Sequence, residues 1–472
     1  MPLPPSYPSD RVGVGVGVGE HTAVARACRS ASGSESGLPR TGDPRHAARA
    51  GNEGGFGMTV RSRGWALVAG LLLLTAGPLR AADRAIDLVA EARRLVGAGQ
   101  GVQVERADGQ VLVSEAGARA VHPASVSKIP TTLALLRVLG PNHRFETRFL
   151  ARGPLHADTL DGPLVVRAAG DPYFVDENAL LAVRGLRDLG LRRVTGDLVV
   201  EGELLFNWKA DGLTPRLRRA LEGGVAPAAW QAVRAHAGEA NGETPRLRFG
   251  QAASAPTGPE TLLLTHRSQP LLYMLKALNG YSNNIFAPFA DAAGGTAAIQ
   301  ARIRALLPAD QQGELVLGDG AGAHPANRMS PRATIAILRA LDRELARHDL
   351  DLASVMPVAG IDEGTLKKRL AGPNGQGFVV AKTGTYGDYG ACALAGALRT
   401  QKDGIVYFAI LNRGVPIEEA RRRQDAYVRV LMKALGALPW PYARDDAPAF
   451  TRAEIALAPP TATSAATTRP AR

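Results

Sequence analysis

Apolar positions recur along this chain with two different periods, and the switches between them mark its elements. Ile86, Leu88, Val89 and Leu95 keep a helical spacing within Arg84 to Leu95. Alternation takes over at Val102 and Val104 and resumes at Val111 and Val113 around Asp108-Gly109. Alternation on both sides of an Asp-Gly pair predicts a β-hairpin, because Gly accepts the positive φ of a tight turn without steric cost. His122-Pro123-Ala124-Ser125 then opens a mostly apolar helix that runs through Leu139 and ends at Gly140-Pro141.

From residue 141 to 265 the pattern breaks into shorter pieces. Strands are predicted at Phe145 to Leu150, Leu164 to Arg167 and Leu198 to Val200, and a helix near Asp176 to Leu189. Lys209 to Pro259 is rich in Ala, Gly and Pro and supports no assignment. This block is expected to be an inserted domain. Helical spacing returns from Gln269 through Ala290, and three β runs follow at Phe378 to Ala381, Ala391 to Leu398 and Ile405 to Leu411. Their short connections imply an antiparallel sheet. A helix from Ile417 to about Leu435 closes the ordered part, and Pro, Ala and Thr dominate from Asp446, so residues 446–472 are expected to be a flexible tail.

The beginning of the chain has a different grammar. Residues 1–57 carry Gly, Ser, Pro and Arg and a Gly-Val repeat, with no amphipathic period, and are expected to be a non-native or disordered extension. At Met58 a new pattern starts: Arg61 and Arg63, an apolar run from Trp65 to Ala76, then Pro78 and Leu79-Arg80-Ala81-Ala82. Residues 58–82 thus read as a signal peptide, which directs the protein to the periplasm or otherwise out of the cell. The apolar run is shorter than the roughly 20 residues that cross a bilayer, so no integral membrane span is expected after cleavage.

Composition narrows the chemistry. The 472 residues carry a formal charge of +12, and nine Arg against five acids in residues 1–82 leave +8 on the remainder. No run of Lys or Arg interleaved with aromatics argues for nucleic acid, and none is expected as a partner. With two cysteines, Cys28 and Cys392, and nine scattered His, the chain lacks metal-ligand spacing, so neither a metal nor another cofactor is expected. Arg outnumbers Lys 48 to 8; each Lys therefore carries information, since a deprotonatable amine is what Arg cannot supply.

Three short motifs follow one another: Ser125-Val126-Ser127-Lys128, Ser282-Asn283-Asn284 and Lys382-Thr383-Gly384. Positions i and i+3 share a helix face, so the Lys128 amine can take the Ser125 proton if burial or a neighbouring positive charge, for which Lys382 is the candidate, holds it neutral. Ser282 can pass that proton to a leaving amine, and Asn284 can bind substrate backbone. Lys382 and Thr383 are expected to bind a C-terminal carboxylate, and Gly384 to leave room for a peptide along the strand. Backbone N–H groups of Ser125 and Thr385 would form the oxyanion hole. The turn at Gly170-Asp171-Pro172 has conformational reasons of its own. Ser127 and Lys276 are expected to be ordinary helix residues, Lys276 on a solvated face; Cys392 is expected in the core.

With these three motifs the chain resembles the low-molecular-mass penicillin-binding proteins of the penicillin-binding protein 4 type, D-alanyl-D-alanine carboxypeptidases and endopeptidases, over most of residues 83 to 440. Gly196-Asp197-Leu198, Asp319-Gly320-Ala321-Gly322 with Asn327, and Met356-Pro357-Val358-Ala359-Gly360 are similar to family segments. The resemblance implies an α+β fold of the serine β-lactamase/transpeptidase type: an antiparallel sheet with flanking helices beside a helical subdomain, built from residues 83–140 and 266–445, with 141–265 inserted. It implies peptidoglycan stem peptides as substrates and β-lactams as inhibitors through a Ser125 acyl-enzyme, and makes Asp171 a candidate for contacting a substrate amino group. Departures are Ala321 in place of the family's Ser, Pro325 in place of its Arg, a longer turn through Tyr386 to Tyr389, and Pro130 early in the nucleophile helix. A β-lactamase or esterase on the same constellation, and a non-catalytic wall-binding protein, are the alternatives.

Overall fold

The computed structural model describes residues 86–239, 241–250, 259–387 and 390–459. The extension at 1–57, the signal peptide at 58–82, the end of the tail at 460–472 and the centre of the turn after Tyr386 lie outside the described residues.

In chain order, the predicted hairpin forms as Gly101–Arg106 (β1) and Val111–Glu115 (β2), and the helix after Ser125 as Lys128–Leu139 (α1). The next block supplies Glu146–Arg152 (β3), Leu164–Phe174 (β4), the helix Asp176–Asp188 (α2) and Leu198–Phe206 (β5). Its last strand, Glu260–Arg267 (β6), runs past residue 265. Helices Leu271–Tyr281 (α3) and Pro331–Ala346 (α4) follow, then strands Val379–Tyr386 (β7), Ala391–Thr400 (β8) and Gly404–Arg413 (β9), the helix Ile417–Leu435 (α5), and Glu454–Leu457 (β10).

The main sheet has the order β7-β8-β9-β1-β2, antiparallel throughout. Its central strands read as nearly unbroken apolar runs because both faces are covered. Leu394, Leu398, Phe408 and Ile410 face α5, where Tyr427, Val428 and Leu431 meet them. Ala393, Ala395, Ala397 and Ala409 face α1, α3 and α4, in a core with Ile129, Leu133, Leu136, Met274 and Leu278. Alanines on that side let helices approach closely, and each buried Ile or Leu contributes roughly 1.5–3 kcal/mol. Strand β7 is left at the edge, against the turn that carries Ser125.

A second sheet, β10-β6-β3-β4-β5, has its own core around Phe149, Val166, Phe174, Val183 and Leu264, with β4 and β5 parallel. Three expectations change here. The stretch from Lys209, which gave no assignment, contains helices Leu213–Leu221 and Pro227–His236. The flexible tail expected from Asp446 is corrected over Ala449–Leu457: Ala449–Arg452 forms a 3-10 turn and β10 pairs with β6 from Arg267↔Glu454 to Leu264↔Leu457. A sheet edge with free N–H and C=O groups templates such pairing whatever the composition around it, and Arg144 adds a 3.0 Å ion pair to Glu454. Finally, Gly170-Asp171-Pro172 lies inside β4, where irregular register on both sides of Asp171 accommodates a proline that cannot donate to the ladder.

Lys276 is also corrected. Its side chain is 21% exposed and its amine donates to Asp362 Oδ2 at 2.6 Å, Ala353 O at 2.7 Å and Met356 O at 2.8 Å. Asp362 in turn accepts from Val358 N and Tyr442 Oη. The face of α3 expected in water packs on the segment that leads into β7, and the amine satisfies carbonyls that no backbone N–H reaches.

Candidate active site

The turn before α1 is built to project one side chain. Ala124 takes φ +49°, a left-handed conformation that a side chain disfavours, and Ala124–Ser127 closes as a 3-10 turn. The conformation is held from both ends: Ala124 N donates to His122 Nδ1 at 3.1 Å, and His122 Nε2, 3.1 Å from His324 O, is then the protonated nitrogen. His122 also stacks on Tyr386 at a centroid distance of 3.9 Å, tying the turn to the end of β7. Burial lowers the His122 pKa, which favours this neutral tautomer.

Lys128 Nζ lies 2.9 Å from Ser125 Oγ, 2.5 Å from Ala321 O and 3.4 Å from Asn284 Oδ1. Desolvation pushes its pKa down to about 7, against the opposing pull of the Asp319 carboxylate. A neutral amine has two N–H donors and one lone pair. Ala321 O and Asn284 Oδ1 can take the donors, which leaves the lone pair for the Ser125 hydroxyl. Burial, the first of the two expected causes, is what depresses Lys128; the repulsion between the two lysines is felt at Lys382.

Lys382 is fully buried, and its amine donates to Ser282 Oγ at 2.8 Å and Thr383 O at 3.0 Å. Burial and then the Lys128 charge hold it well below the usual lysine range. Ser282 caps α3 with φ +59°, turning its hydroxyl toward Lys382. Pro130 is the third residue of α1, within the first turn, where most backbone N–H groups have no partner inside the helix.

Gly384 acquires a different reason from the one expected. A Cβ there would sit 2.7 Å from Pro123 O and 3.1 Å from both Ala124 Cβ and Ser125 N. The missing side chain lets β7 close on the turn that carries Ser125. Thr383 is buried and donates to Thr365 Oγ1 at 2.8 Å, whereas Thr385 is exposed. Asp171 is not brought to the pocket surface: it is fully buried, and Oδ1 accepts from Tyr173 N at 2.8 Å. Burial pushes its pKa up to about 7. Ser127 is fully buried, and Cys392 is buried as expected.

Two residues that sequence reasoning passed over shape the site. Asp319 accepts from Gly322 N at 2.6 Å, His324 N at 3.0 Å and Asn327 Nδ2 at 3.0 Å, curling the segment so that Ala321 presents its carbonyl to Lys128. Because the contact is main-chain, Ala in place of the family's Ser costs Lys128 nothing. Thr365 links Gly280 O, at 3.0 Å from its N–H, to Thr383, and so joins the end of α3 to β7. Asp319 was visible as part of a family-like segment without an assigned role; Thr365 lies in no motif. Among the described residues no group of three His, Cys, Asp or Glu is placed to hold a metal, and no helix is long and apolar enough to cross a membrane.

An apolar sheet closed by helices on both faces, with Ser, Lys, Ser and Lys converging at its edge strand, defines the fold of the serine β-lactamases and penicillin-binding transpeptidases. The solved structures it resembles agree. One is a penicillin G-acylated predatory endopeptidase of Bdellovibrio bacteriovorus, in complex with an immunity protein, at 22% identity and TM-score 0.65 over 76% of this chain and 99% of that one. Another is penicillin-binding protein 4 (DacB) of Haemophilus influenzae, bound to a β-lactam, at 21% identity and TM-score 0.52 over 74% and 99%. The chain belongs to the D-Ala-D-Ala carboxypeptidase 3 (S13) family, whose profile it matches over residues 82–213 and 250–434. In sequence it is 30% identical over 92 residues to the D-alanyl-D-alanine carboxypeptidase DacB of Haemophilus influenzae, a stretch that spans 20% of this chain and 19% of that protein.

Proposed function

We propose that the protein is a serine-type D-alanyl-D-alanine carboxypeptidase or endopeptidase that acts on peptidoglycan stem peptides through an acyl-enzyme on Ser125 and is inhibited by β-lactams at the same residue. The observation that carries this is the 2.9 Å contact between a buried, pKa-lowered Lys128 amine and Ser125 Oγ. Neutral Lys128 takes the hydroxyl proton as Oγ attacks the carbonyl of the penultimate D-alanine. The developing oxyanion is met by the N–H groups of Ser125 and Thr385. The proton leaves through Ser282, hydrogen-bonded to Lys382, to the departing amine, and the Asn284 side-chain N–H₂ holds the substrate backbone. Water then attacks the ester with Lys128 again as base.

Membership of the peptidase family supports hydrolysis, and the convergence of Ser125, Lys128, Ser282 and Lys382 supports the serine mechanism. Export to the periplasm through a signal peptide at 58–82 is part of the same proposal, supported by the pattern from Met58 and by a substrate that lies outside the cytoplasm. N-terminal sequencing of the protein from native cells tests it, a start near Asp83 being the expected result. For the chemistry, mature protein is incubated with a fluorescent penicillin and separately with a pentapeptide ending in D-Ala-D-Ala, beside Ser125→Ala. A stable adduct and released D-alanine, both absent from the variant, are expected. Rapid turnover of the penicillin would instead identify a β-lactamase, and no adduct at all a wall-binding protein.

A further inference from the structure

Ala124 holds a backbone conformation that its own side chain opposes. At φ +49° it is left-handed, a region that a residue with a Cβ enters at a cost. The peptide between Ala124 and Ser125 carries the N–H expected in the oxyanion hole, so the backbone angles at Ala124 set where that N–H and the Ser125 hydroxyl point. Pro123, one position earlier, has no N–H with which to brace the turn.

His122 supplies the brace. A backbone N–H can only donate, so Nδ1 meets Ala124 N at 3.1 Å with its lone pair, and the ring proton on Nε2 points to His324 O at 3.1 Å. The ring is fixed on two sides. Its face stacks on Tyr386 with centroids 3.9 Å apart, and the backbone before it is pinned, because Val121 N donates to Met329 O at 3.1 Å and Met329 N to Val121 O at 2.9 Å. The segment from Asp319 to Asn327 closes on the other side of the same turn, where a Cβ at Gly322 would overlap Ala124 O. Through His324 O the imidazole also reaches the segment that presents Ala321 O to Lys128. A single ring therefore joins the backbone that aims the nucleophile, the backbone that holds the base and the end of the strand beside them.

We propose that His122 is a positioning residue for acylation: its Nδ1 lone pair holds Ala124 in the left-handed turn that aims Ser125, and its Nε2–H ties that turn to the segment behind Lys128. The strain at one alanine and the hydrogen bond to its N–H are of similar size, so removing the bond lets the turn relax and carries Ser125 Oγ away from the Lys128 amine. His122 acts on the nucleophile through Ala124, so its loss falls on the chemical step and spares ligand binding. The inference rests on the acyl-enzyme reading above.

The test separates the two ring nitrogens. In His122→Asn the amide oxygen takes the place of Nδ1 and still accepts from Ala124 N. In His122→Gln the amide N–H₂ reaches toward His324 O and leaves Ala124 N without the Nδ1 acceptor. Acylation by benzylpenicillin is followed by stopped flow over a range of concentrations, which resolves the acylation rate constant from the dissociation constant of the complex that precedes it. His122→Gln should lower the rate constant about 30-fold or more, since a misplacement of about 1 Å costs on the order of 100-fold, and should leave the dissociation constant within about threefold. His122→Asn should stay within about fivefold of wild type in both. In an Ala124→Gly background, where the left-handed turn carries no strain, adding His122→Gln should cost about fivefold or less. Equal losses in Asn and Gln, a loss carried by the dissociation constant, or the same loss in both backgrounds overturns the proposal. Should His122→Gln fail to melt cooperatively, the Asn variant decides alone, and a loss of about 30-fold there overturns it. A wild type that no penicillin acylates overturns the acyl-enzyme reading itself, whatever the variants do.

Discussion

Lys128 has been driven into the core at a cost that should be measurable as stability. In the folded protein its pKa is about 7, against 10.5 for an unburied lysine. A folded-state pKa below the unfolded one means that the unfolded chain binds more protons between those values, so stability rises with pH across that window. Below both values the penalty is about 5 kcal/mol, at pH 6 it is nearly as large, and at pH 9 it has fallen to about 2 kcal/mol. Lys128→Met removes the amine while keeping an unbranched stem. It also leaves the buried Ala321 carbonyl unpaired, a loss of about 1–3 kcal/mol at every pH. The variant should therefore be more stable than wild type at pH 6, and its advantage should shrink by about 2.5 kcal/mol between pH 6 and pH 9 whatever the constant loss. Lys382, which the Lys128 charge also depresses, shifts the balance in the same direction when that charge is removed. The assay is urea unfolding at both pH values, beside penicillin acylation, which should be abolished. A stability difference that does not change with pH would refute a buried, largely neutral Lys128.

Three further outcomes follow from the same geometry. The rate constant for acylation by benzylpenicillin should fall about tenfold between pH 8 and pH 6 as Lys128 takes up a proton, and a flat profile measured by stopped flow would speak against it as base. Gly384→Ala places a Cβ 2.7 Å from Pro123 O; it should slow acylation by about 100-fold or more while the protein still melts cooperatively, since a shift of about 1 Å at the nucleophile suffices. Lys276→Met should lower stability by about 3 kcal/mol because Asp362 is left buried without its cation, and adding Asp362→Asn should return part of that in chemical unfolding.

The spacing of Ser125 and Lys128, the order of the three motifs and the apolar runs of the main sheet are local properties, and a single sequence carries them. Period and turn chemistry act over a few residues, so the hairpin at Asp108-Gly109, the helix after Ser125, the start of the strand at Val379 and the strands from Ala391 to Arg413 were legible. What required the tertiary structure were contacts between segments far apart in the chain. Composition marked residues after Asp446 as a tail, yet the free edge of β6 made a strand of Glu454–Leu457. Helical periodicity alone put Lys276 in water, whereas the carbonyls of Ala353 and Met356 drew it inward. In sequence Gly384 reads as room for a peptide, but packing puts Pro123 O where its Cβ would lie. The pKa of Lys128 is likewise a matter of burial, which no motif encodes, because desolvation is the sum of every chain segment that excludes water from one amine.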